Sequence, residues 1–420
     1  MKIKRTERHI ITKYNDNFKQ IERLCFLSKN LYNYCNYILR QKYFENRKIE
    51  DKKERKYINE YELTTLLAKE NQSDFRALPS QTSQQIIKLL FKNWKSFYKL
   101  CKTKDLNGRP QIPKYKKKDG KNIIIFTNQQ VKLKDGFINF PKNVNLSAVR
   151  TTVDNICSIR IIPDTACYVL EIIYEKEVIL NENLNNELYL AIDLGVNNFS
   201  TLITNKEGLE PVLINGKIIK SINQFYNKKK AALMSVIISG KETKKDSKPY
   251  SKKLKQLDFK RNNKVNDYIH KASRFVINYC IKHNIKNIVI GYNEGWKNEI
   301  NIGKKNNQKF VSIPYLKFIN RVKYKAEEIG CNIILNNESF TSKCDALAEE
   351  KIRKHKEYSG KRIKRGLFQS SIGKLINADI NGAINILRKV IGNSFVKKIT
   401  NIGLGFRPKR VNIYSIKGVY

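Results

Sequence analysis

One stretch constrains this chain more than any other: Ala191-Ile192-Asp193-Leu194-Gly195-Val196-Asn197-Asn198-Phe199-Ser200. With Leu188-Tyr189-Leu190 ahead of it, the run predicts a buried strand that ends in a single carboxylate. Gly195 lets the backbone turn, and a second alternating run follows from Phe199 to Thr204. An unpaired buried carboxylate costs several kcal/mol, so an Asp in this place is paired or bound to a metal ion. The plainer reading is a hairpin strand with an Asp at its turn.

The chain has 420 residues, room for two or three domains, and 41% of them are apolar, enough for real cores. Its 82 Lys and Arg against 38 Asp and Glu leave a formal charge of +44. Such an excess calls for a polyanionic partner. A membrane surface is the rival, but no run of about 18 apolar residues appears, and no leader-like opening. The expectation is a soluble, cytosolic protein that binds nucleic acid. The cysteines, Cys25, Cys35, Cys101, Cys157, Cys167, Cys280, Cys331 and Cys344, form no C-x-x-C and read as reduced core thiols.

Taken in order, Lys2 to Thr12 alternates as a short strand. Leu24, Cys25, Ser28, Leu31, Tyr32, Cys35, Ile38 and Leu39 then recur at helical spacing. Pro79-Ser80 opens a second helix with Ile87, Leu90, Phe91, Trp94, Phe97 and Cys101 on one side. Gly108-Arg109-Pro110 breaks it. The run Lys114-Tyr115-Lys116-Lys117-Lys118 follows, where basic and aromatic residues suit a phosphate backbone and a stacked base, or simply a solvated linker. From Ile123 the period becomes two, and Asp135-Gly136 marks a hairpin between Leu133 and Ile138. Cys157–Ile162 and Tyr168–Tyr174 read as further strands, so that residues 123–176 with the N-terminal strand read as a small β-barrel or sandwich with the helical segment inserted into it, and Glu177 to Glu187 as a linker.

The second half begins with strands from Leu188, from Phe199 and around Val212-Leu213-Ile214. Ile222–Ile238 is helical, Ser239–Lys253 a Lys- and Ser-rich connector, and Leu254–Asn284 a long helix carrying Lys260, Arg261 and Lys271. A strand at Lys286–Gly291, a helix from Pro314 and a strand at Cys331–Leu335 complete the series. Three strands, helix, strand, helix, strand is the order of the ribonuclease H fold. Asp193 lies on the first strand and Glu338 just past the last. Asp379 lies at the start of a helix whose Ile380, Ile384 and Leu387 face inward. A helix-opening Asp is commonly a cap. Together the three read as a carboxylate cage for two hard divalent ions, which clamps the attacking and leaving oxygens of a phosphodiester.

At these residues the chain resembles the TnpB family, transposon-encoded RNA-guided endonucleases related to type V CRISPR effectors. The resemblance is carried by Ala191–Ser200, Asn215–Asn223, the helix from Asn266 to Arg274, Thr341-Ser342-Lys343-Cys344 and Asn377–Leu387, with Leu78–Tyr98 and Pro113–Gln129 in the first half. It implies an α+β multidomain fold, with an N-terminal β-barrel (residues 1–15 and 108–180) holding an inserted helical domain (16–107). An RNase H-like, RuvC-type nuclease domain follows (188–343 and 376–420), with a basic insertion at 344–375. It also implies cleavage of DNA paired to a guide (omega) RNA, beside a short target-adjacent motif, with magnesium or manganese at Asp193 and Asp379. The expected partners are guide RNA and double-stranded target DNA, bound by a monomer in a bacterial cytoplasm, at the nucleoid. The expected nucleic-acid contacts are Lys114, Tyr115, Lys116, Lys117, Lys217, Lys220, Lys260, Arg261, Lys271, Lys343, Arg362, Lys364 and Arg365.

The chain departs from the family pattern twice. The usual second carboxylate falls at Gly291, so Glu338 is expected to supply it from the neighbouring strand, with Glu294 as the other candidate. The interval from Cys344 to Asp379 lacks the Cys pairs of a zinc ribbon, so no zinc is expected there. Packing of Tyr358, Ile363, Leu367 and Phe368 must hold that insertion instead. The competing functions are an RNA-guided repressor that binds without cutting, and a conventional transposase.

Overall fold

The structure is a computed structural model, and it describes residues 2–51, 53–103, 108–178, 180–239, 251–293, 308, 311–401 and 408–415. The chain forms two compact units, Met1–Glu177 and Val178–Tyr420.

The first unit runs β1 (Lys2–Ile11), α1 (Phe18–Lys48), α2 (Glu60–Lys69), α3 (Ser73–Ala77) and α4 (Ser80–Lys102). Strands β2 (Ile124–Thr127), β3 (Lys132–Lys134), β4 (Phe137–Asn139), β5 (Val149–Arg150), β6 (Ile156–Pro163) and β7 (Tyr168–Glu177) follow. Helix α1 buries Ile21, Leu24, Cys25, Leu31, Tyr32, Cys35 and Leu39, and α4 buries Ile86, Ile87, Leu90, Trp94 and Phe97. These are the stripes that the periodicity predicts. Cys101 is exposed rather than on the core side. The hairpin at Asp135-Gly136 is present, with both residues at positive φ (53° and 74°), the backbone a tight two-residue turn requires.

Among the described residues the expected β-barrel is not formed. β1-β7-β6-β2 is an open antiparallel sheet, and β3-β4-β5 is a separate sheet of three strands. The reason lies in the core. Ile124, Phe126, Ile159, Ile161, Leu170 and Ile172 pack with the buried residues of α1 and α4 in one cluster. A helical layer therefore covers the sheet face that a barrel would close against itself.

The opposite face of this sheet carries one buried charge. Glu171 on β7, 2% exposed, lies directly across from Arg8 on β1 and Arg160 on β6. Arg8 Nε donates to its Oε1 at 2.8 Å and an Arg160 terminal nitrogen to Oε2 at 2.7 Å. Glu171→Ala strands two guanidinium groups. It should lower the stability of this unit by about 2 kcal/mol, with Arg8→Ala, at a more exposed group, costing about 1 kcal/mol or less. Urea titrations of the three proteins give this ranking directly.

The second unit contains β8 (Asn185–Leu194), β9 (Asn198–Thr204), β10 (Val212–Asn215), α5 (Lys217–Ile238), α6 (Lys252–His283), β11 (Ile285–Gly291), α7 (Tyr315–Glu327) and β12 (Asn332–Asn336). A small sheet of β13 (Lys361–Lys364), β14 (Leu367–Gln369) and β15 (Leu375–Asn377) comes next. It is followed by α8 (Ala378–Ile391), α9 (Ser394–Asn401) and β16 (Lys409–Val411). The large sheet has the order β12-β11-β8-β9-β10-β16. β9 is antiparallel to both neighbours, whereas β11 pairs in parallel with β8 and β12.

Each face of this sheet has its own core. Leu190, Ile192, Leu194, Ile288 and Ile290 point to the side of α6 and α7, where Phe199 meets Phe318 at 4.8 Å between ring centroids. Ala191 and Val289 point to the other side, against Ile380, Ala383, Ile384 and Leu387 of α8. Side chains alternate along a strand. Asp193 therefore shares the α8 face with Ala191, and Gly291 shares it with Val289.

Candidate active site

Alternation sets Asp193 at the end of β8, facing the first turn of α8. The approach is close: a Cβ added to Gly382 would stand 2.9 Å from Asp193 Oδ2. Only glycine leaves the carboxylate that space. The turn after Asp193 is equally tight, since a Cβ at Gly195 would lie 2.6 Å from the Asn198 carbonyl. The Tyr315 hydroxyl donates to the Gly195 carbonyl at 2.9 Å and fixes this turn from the α7 side.

Asp379 is not the cap of α8. Asn377 is, its side chain accepting from the amides of Asp379 and Ile380. That frees the Asp379 carboxylate, which accepts from Asn198 Nδ2 at 2.7 Å and stands 4.0 Å from an Arg362 nitrogen.

Glu338 lies two residues beyond β12, whose Asn336 pairs with Gly291 of β11. A Cβ at position 291 would meet Ile386 Cδ1 at 2.5 Å and Glu338 Oε2 at 3.0 Å. The room a side chain at 291 would need is taken by Ile386 and by the Glu338 carboxylate. The Asn293 side chain accepts from the Glu338 amide at 3.1 Å. Glu294 lies outside the described residues.

Two of the carboxylates act on the third. Burial, then the charges of Glu338 and Asp379, hold the Asp193 carboxyl well above the usual range, with Arg362 opposing. Burial pushes Glu338 up to about 7 against the pull of Lys389. The Tyr315 hydroxyl is raised by burial and by all three. The centre is thus short of positive charge. Hard carboxylate oxygens, unneutralised and set beside glycines that leave room, fit a hard divalent cation. Among the described residues, no three His, Cys, Asp or Glu side chains are gathered tightly enough to hold one ion as they stand.

Next to Asp379 opens a polar cleft of about 690 Å³, lined by Asn197, Asn198, Asp379 and five cations: Lys217, Lys220, Arg362, Arg365 and Arg410. Lys220 Nζ donates to Asn197 Oδ1 at 2.8 Å. Lys217, Lys220, Arg362 and Arg365 are residues the sequence singles out. Arg410 is not. It reaches the cleft because β16 pairs in parallel with β10, a pairing that no local pattern announces. Asn198 was visible only as part of the stretch after Gly195.

Other expected contacts lie elsewhere or are engaged. Arg261 donates to the Asn223 side chain at 2.8 Å and the Ser312 carbonyl at 2.7 Å. Lys271 pairs with Asp267 at 3.4 Å and sits 4.7 Å over the Tyr414 ring. Lys260 and Lys364 are exposed, and Lys343 lies 5.8 Å over Tyr358. In the first unit Lys114, Tyr115, Lys116 and Lys117 are exposed, with the Arg40 guanidinium 4.8 Å over the Tyr115 ring and Lys116 Nζ 5.1 Å over Tyr32.

The 344–375 insertion is organised by acids as well as by packing. Asp345, fully buried, accepts from the amides of Leu347, Ala348 and Ser371 and from the hydroxyls of Ser370 and Ser371. The Glu350 carboxylate accepts from the amides of Asp345 and Ser359. Phe368 is buried as expected, but Ile363 is half exposed. The Cys344 thiol faces the carbonyls of Lys351 and Arg353, each at 3.6 Å.

Residues 171–297 match the OrfB_IS605 family, described as a probable transposase, and residues 315–386 match the Cas12f1-like TNB domain. A TnpB-like protein, ORF457 of Acidianus two-tailed virus, is 31% identical over 106 residues. That alignment covers 25% of this chain and only 21% of the viral protein. The fold is similar to Cas12f1 in its complex with sgRNA and target DNA, with a TM-score of 0.50 at 14% identity over 87% of this chain and 81% of that one. The mini-RNA-guided endonuclease CRISPR-Cas_phi3 aligns over 92% of both chains at 10% identity, with a TM-score of 0.43. Among the described residues no helix is long and apolar enough to cross a membrane.

A Glu338 carboxyl raised to about 7 from an ordinary 4.5 opposes folding wherever it is ionised. The penalty is full above pH 7 and disappears below pH 4.5, where folded and unfolded chains are both protonated. Metal-free Glu338→Gln should therefore melt higher than the parent at pH 8, by on the order of 1 kcal/mol allowing for partial exposure. The gap should close by pH 4.5. Melting curves with a chelator across that range measure it.

Proposed function

The chain belongs to the TnpB family, and on that premise we propose that it is an RNA-guided DNA endonuclease whose nuclease centre is Asp193, Glu338 and Asp379. What supports this reading is that the charges of Glu338, from beyond β12, and Asp379, from α8, both act on the buried Asp193 of β8, and that Asp379 also lines a cleft with five cations. The strand order β12-β11-β8-β9-β10, antiparallel only at β9, supports an RNase H-like, RuvC-type reading of the second unit. The complex of the similar Cas12f1 with sgRNA and target DNA supports guide RNA and target DNA as partners. In this reading the helices of residues 16–107 and the sheets around them hold the guide and read the target-adjacent motif.

Two magnesium ions held by Asp193, Glu338 and Asp379 would supply an activated water and a Lewis acid at the leaving oxygen. The chain's own residues do the rest. Lys217, Lys220, Arg365 and Arg410 receive the phosphates on both sides of the scissile bond. Asn198 holds Asp379 in place, and Tyr315 locks the turn that aims Asp193. Gly291 belongs to the same design. The family's second carboxylate falls there, and the space is taken by Ile386 and by Glu338, which reaches in from just past the adjacent strand.

Asp193→Ala should reduce cleavage of guide-matched DNA by about a thousandfold or more while binding is retained, because affinity comes from phosphate contacts and base pairing. Glu338→Gln should do the same and Glu294→Gln should not. Cleavage in magnesium together with filter binding of each variant tests both statements. Loss of cutting in Glu294→Gln alone would move the second carboxylate to that residue. A parent protein that binds guided DNA without cutting would make this a repressor.

We also read the 344–375 insertion as free of zinc, since Asp345 and Glu350 tie together the loops a metal would otherwise hold. Elemental analysis should find less than stoichiometric zinc. Asp345→Ala, which strands several buried donors, should cost about 3 kcal/mol in thermal or urea unfolding.

A further inference from the structure

The first unit holds a concavity that the nuclease reading leaves unused. It is a slot of about 520 Å³ between the C-terminal half of α1, α4 and the approach to α2. Its back wall is aromatic. Ring centroids lie 5.6 Å apart for Tyr43 and Trp94, and 5.9 Å apart for Trp94 and Tyr98. The Trp94 indole nitrogen donates inward to Asn36 Oδ1 at 3.1 Å, so its polar edge is satisfied within the core and the ring is held in place. The other lip carries Tyr57 and Tyr61, which are 62% and 79% exposed. Two large aromatics left in water beside an apolar slot point to an occupant with a flat face.

The neighbouring surface narrows the class of that occupant. Tyr43 also lines a second depression, of about 370 Å³, which carries Arg40, Arg47 and Lys114. One ring thus separates an apolar aromatic slot from a cationic groove. A nucleotide has this division, with a planar base at one end and a phosphate at the other. Glu60 at the slot edge repels phosphate but accepts a hydroxyl, and the ribose 2′-OH supplies one where deoxyribose does not.

We propose that this slot takes an unpaired base of the bound RNA, stacked in the pocket of Tyr43, Trp94 and Tyr98, with its phosphate on Arg40, Arg47 and Lys114. The inference rests on the reading of the chain as an RNA-binding protein. It adds a discrete single-base site to the diffuse charge that reading uses.

The test uses the full-length chain with Trp296→Phe, which leaves Trp94 as the sole tryptophan. The probes are fluorescein-labelled 12-mers of oligo(A) RNA and oligo(dA) DNA. RNA should quench Trp94 emission on binding. Tyr98→Leu, which keeps apolar bulk but loses the stacking face, and Tyr61→Ala should each weaken RNA binding about 5- to 100-fold without changing its salt dependence. Arg47→Ala should instead lower the salt slope by about 0.7. DNA should bind more weakly than RNA in the parent and respond less to Tyr98→Leu. Parent binding to RNA that is untouched by the tyrosine variants, with no quenching, overturns the slot and leaves the endonuclease reading standing. Failure of the parent to bind RNA at all takes both down. Equal response of RNA and DNA overturns the ribose assignment. Light scattering that shows Tyr98→Leu dissociating a dimer with RNA binding unchanged would make the slot an interface between copies, and the proposal false.

Discussion

Asp193 is buried at one end of a sheet under the charges of Glu338 and Asp379, and the elements around it hold it there. Asp193 cannot move away, because Ala191 and Val289 lock its strand and the neighbouring one against α8. Asp379 cannot turn into a capping role, because Asn377 already has it. The glycines follow from the same constraint. Positions 195, 291 and 382 are places where even a methyl group would press on a backbone carbonyl, an apolar side chain or a carboxylate. The raised proton affinities of Asp193 and Glu338 record how little in the protein offsets their charge. A site held in this state is costly to stability wherever its carboxyls are ionised.

The acid centre is an exception within a very basic chain. A net charge of +44 works against compactness unless a polyanion screens it. The cleft beside Asp379 joins the two tendencies. Its cations come from α5, from the β13–β14 hairpin and from β16, so separate parts of the chain contribute to one surface. Some cations are used differently. Arg261 is half buried and hydrogen-bonded to Asn223 and Ser312, and it fastens α6 to the chain ahead of α7. Lys325, almost fully buried, donates to the His270 carbonyl and the Ser273 hydroxyl, and burial lowers it to about 7. Basic residues in this chain are therefore of two kinds, and only burial and partners tell them apart.

The first unit solves a different problem. Its sheet is open and is completed by helices rather than by closing on itself. The helical face is apolar, while the other face carries Glu171 between two arginines, a charge that is paired across strands on both sides. Between α1, α4 and the approach to α2, aromatic rings line a gap instead of filling it, which leaves the slot.

Local periodicity determined a good deal without the structure. The alternation of Leu188 to Leu194, the helical stripes of α1, α4 and α8 and the Asp135-Gly136 turn each depend on residues close in sequence, and each forms as read. The order of strands and helices in the second half was legible for the same reason. What periodicity cannot carry is the identity of a distant partner. Whether the first sheet would close, that β16 would bring Arg410 beside β10, and that Asn377 rather than Asp379 would cap its helix were settled by packing and hydrogen bonding between segments far apart in the chain. The same holds for which lysines and arginines face solvent. Alternation says which face a side chain takes; only the assembled fold decides what stands opposite.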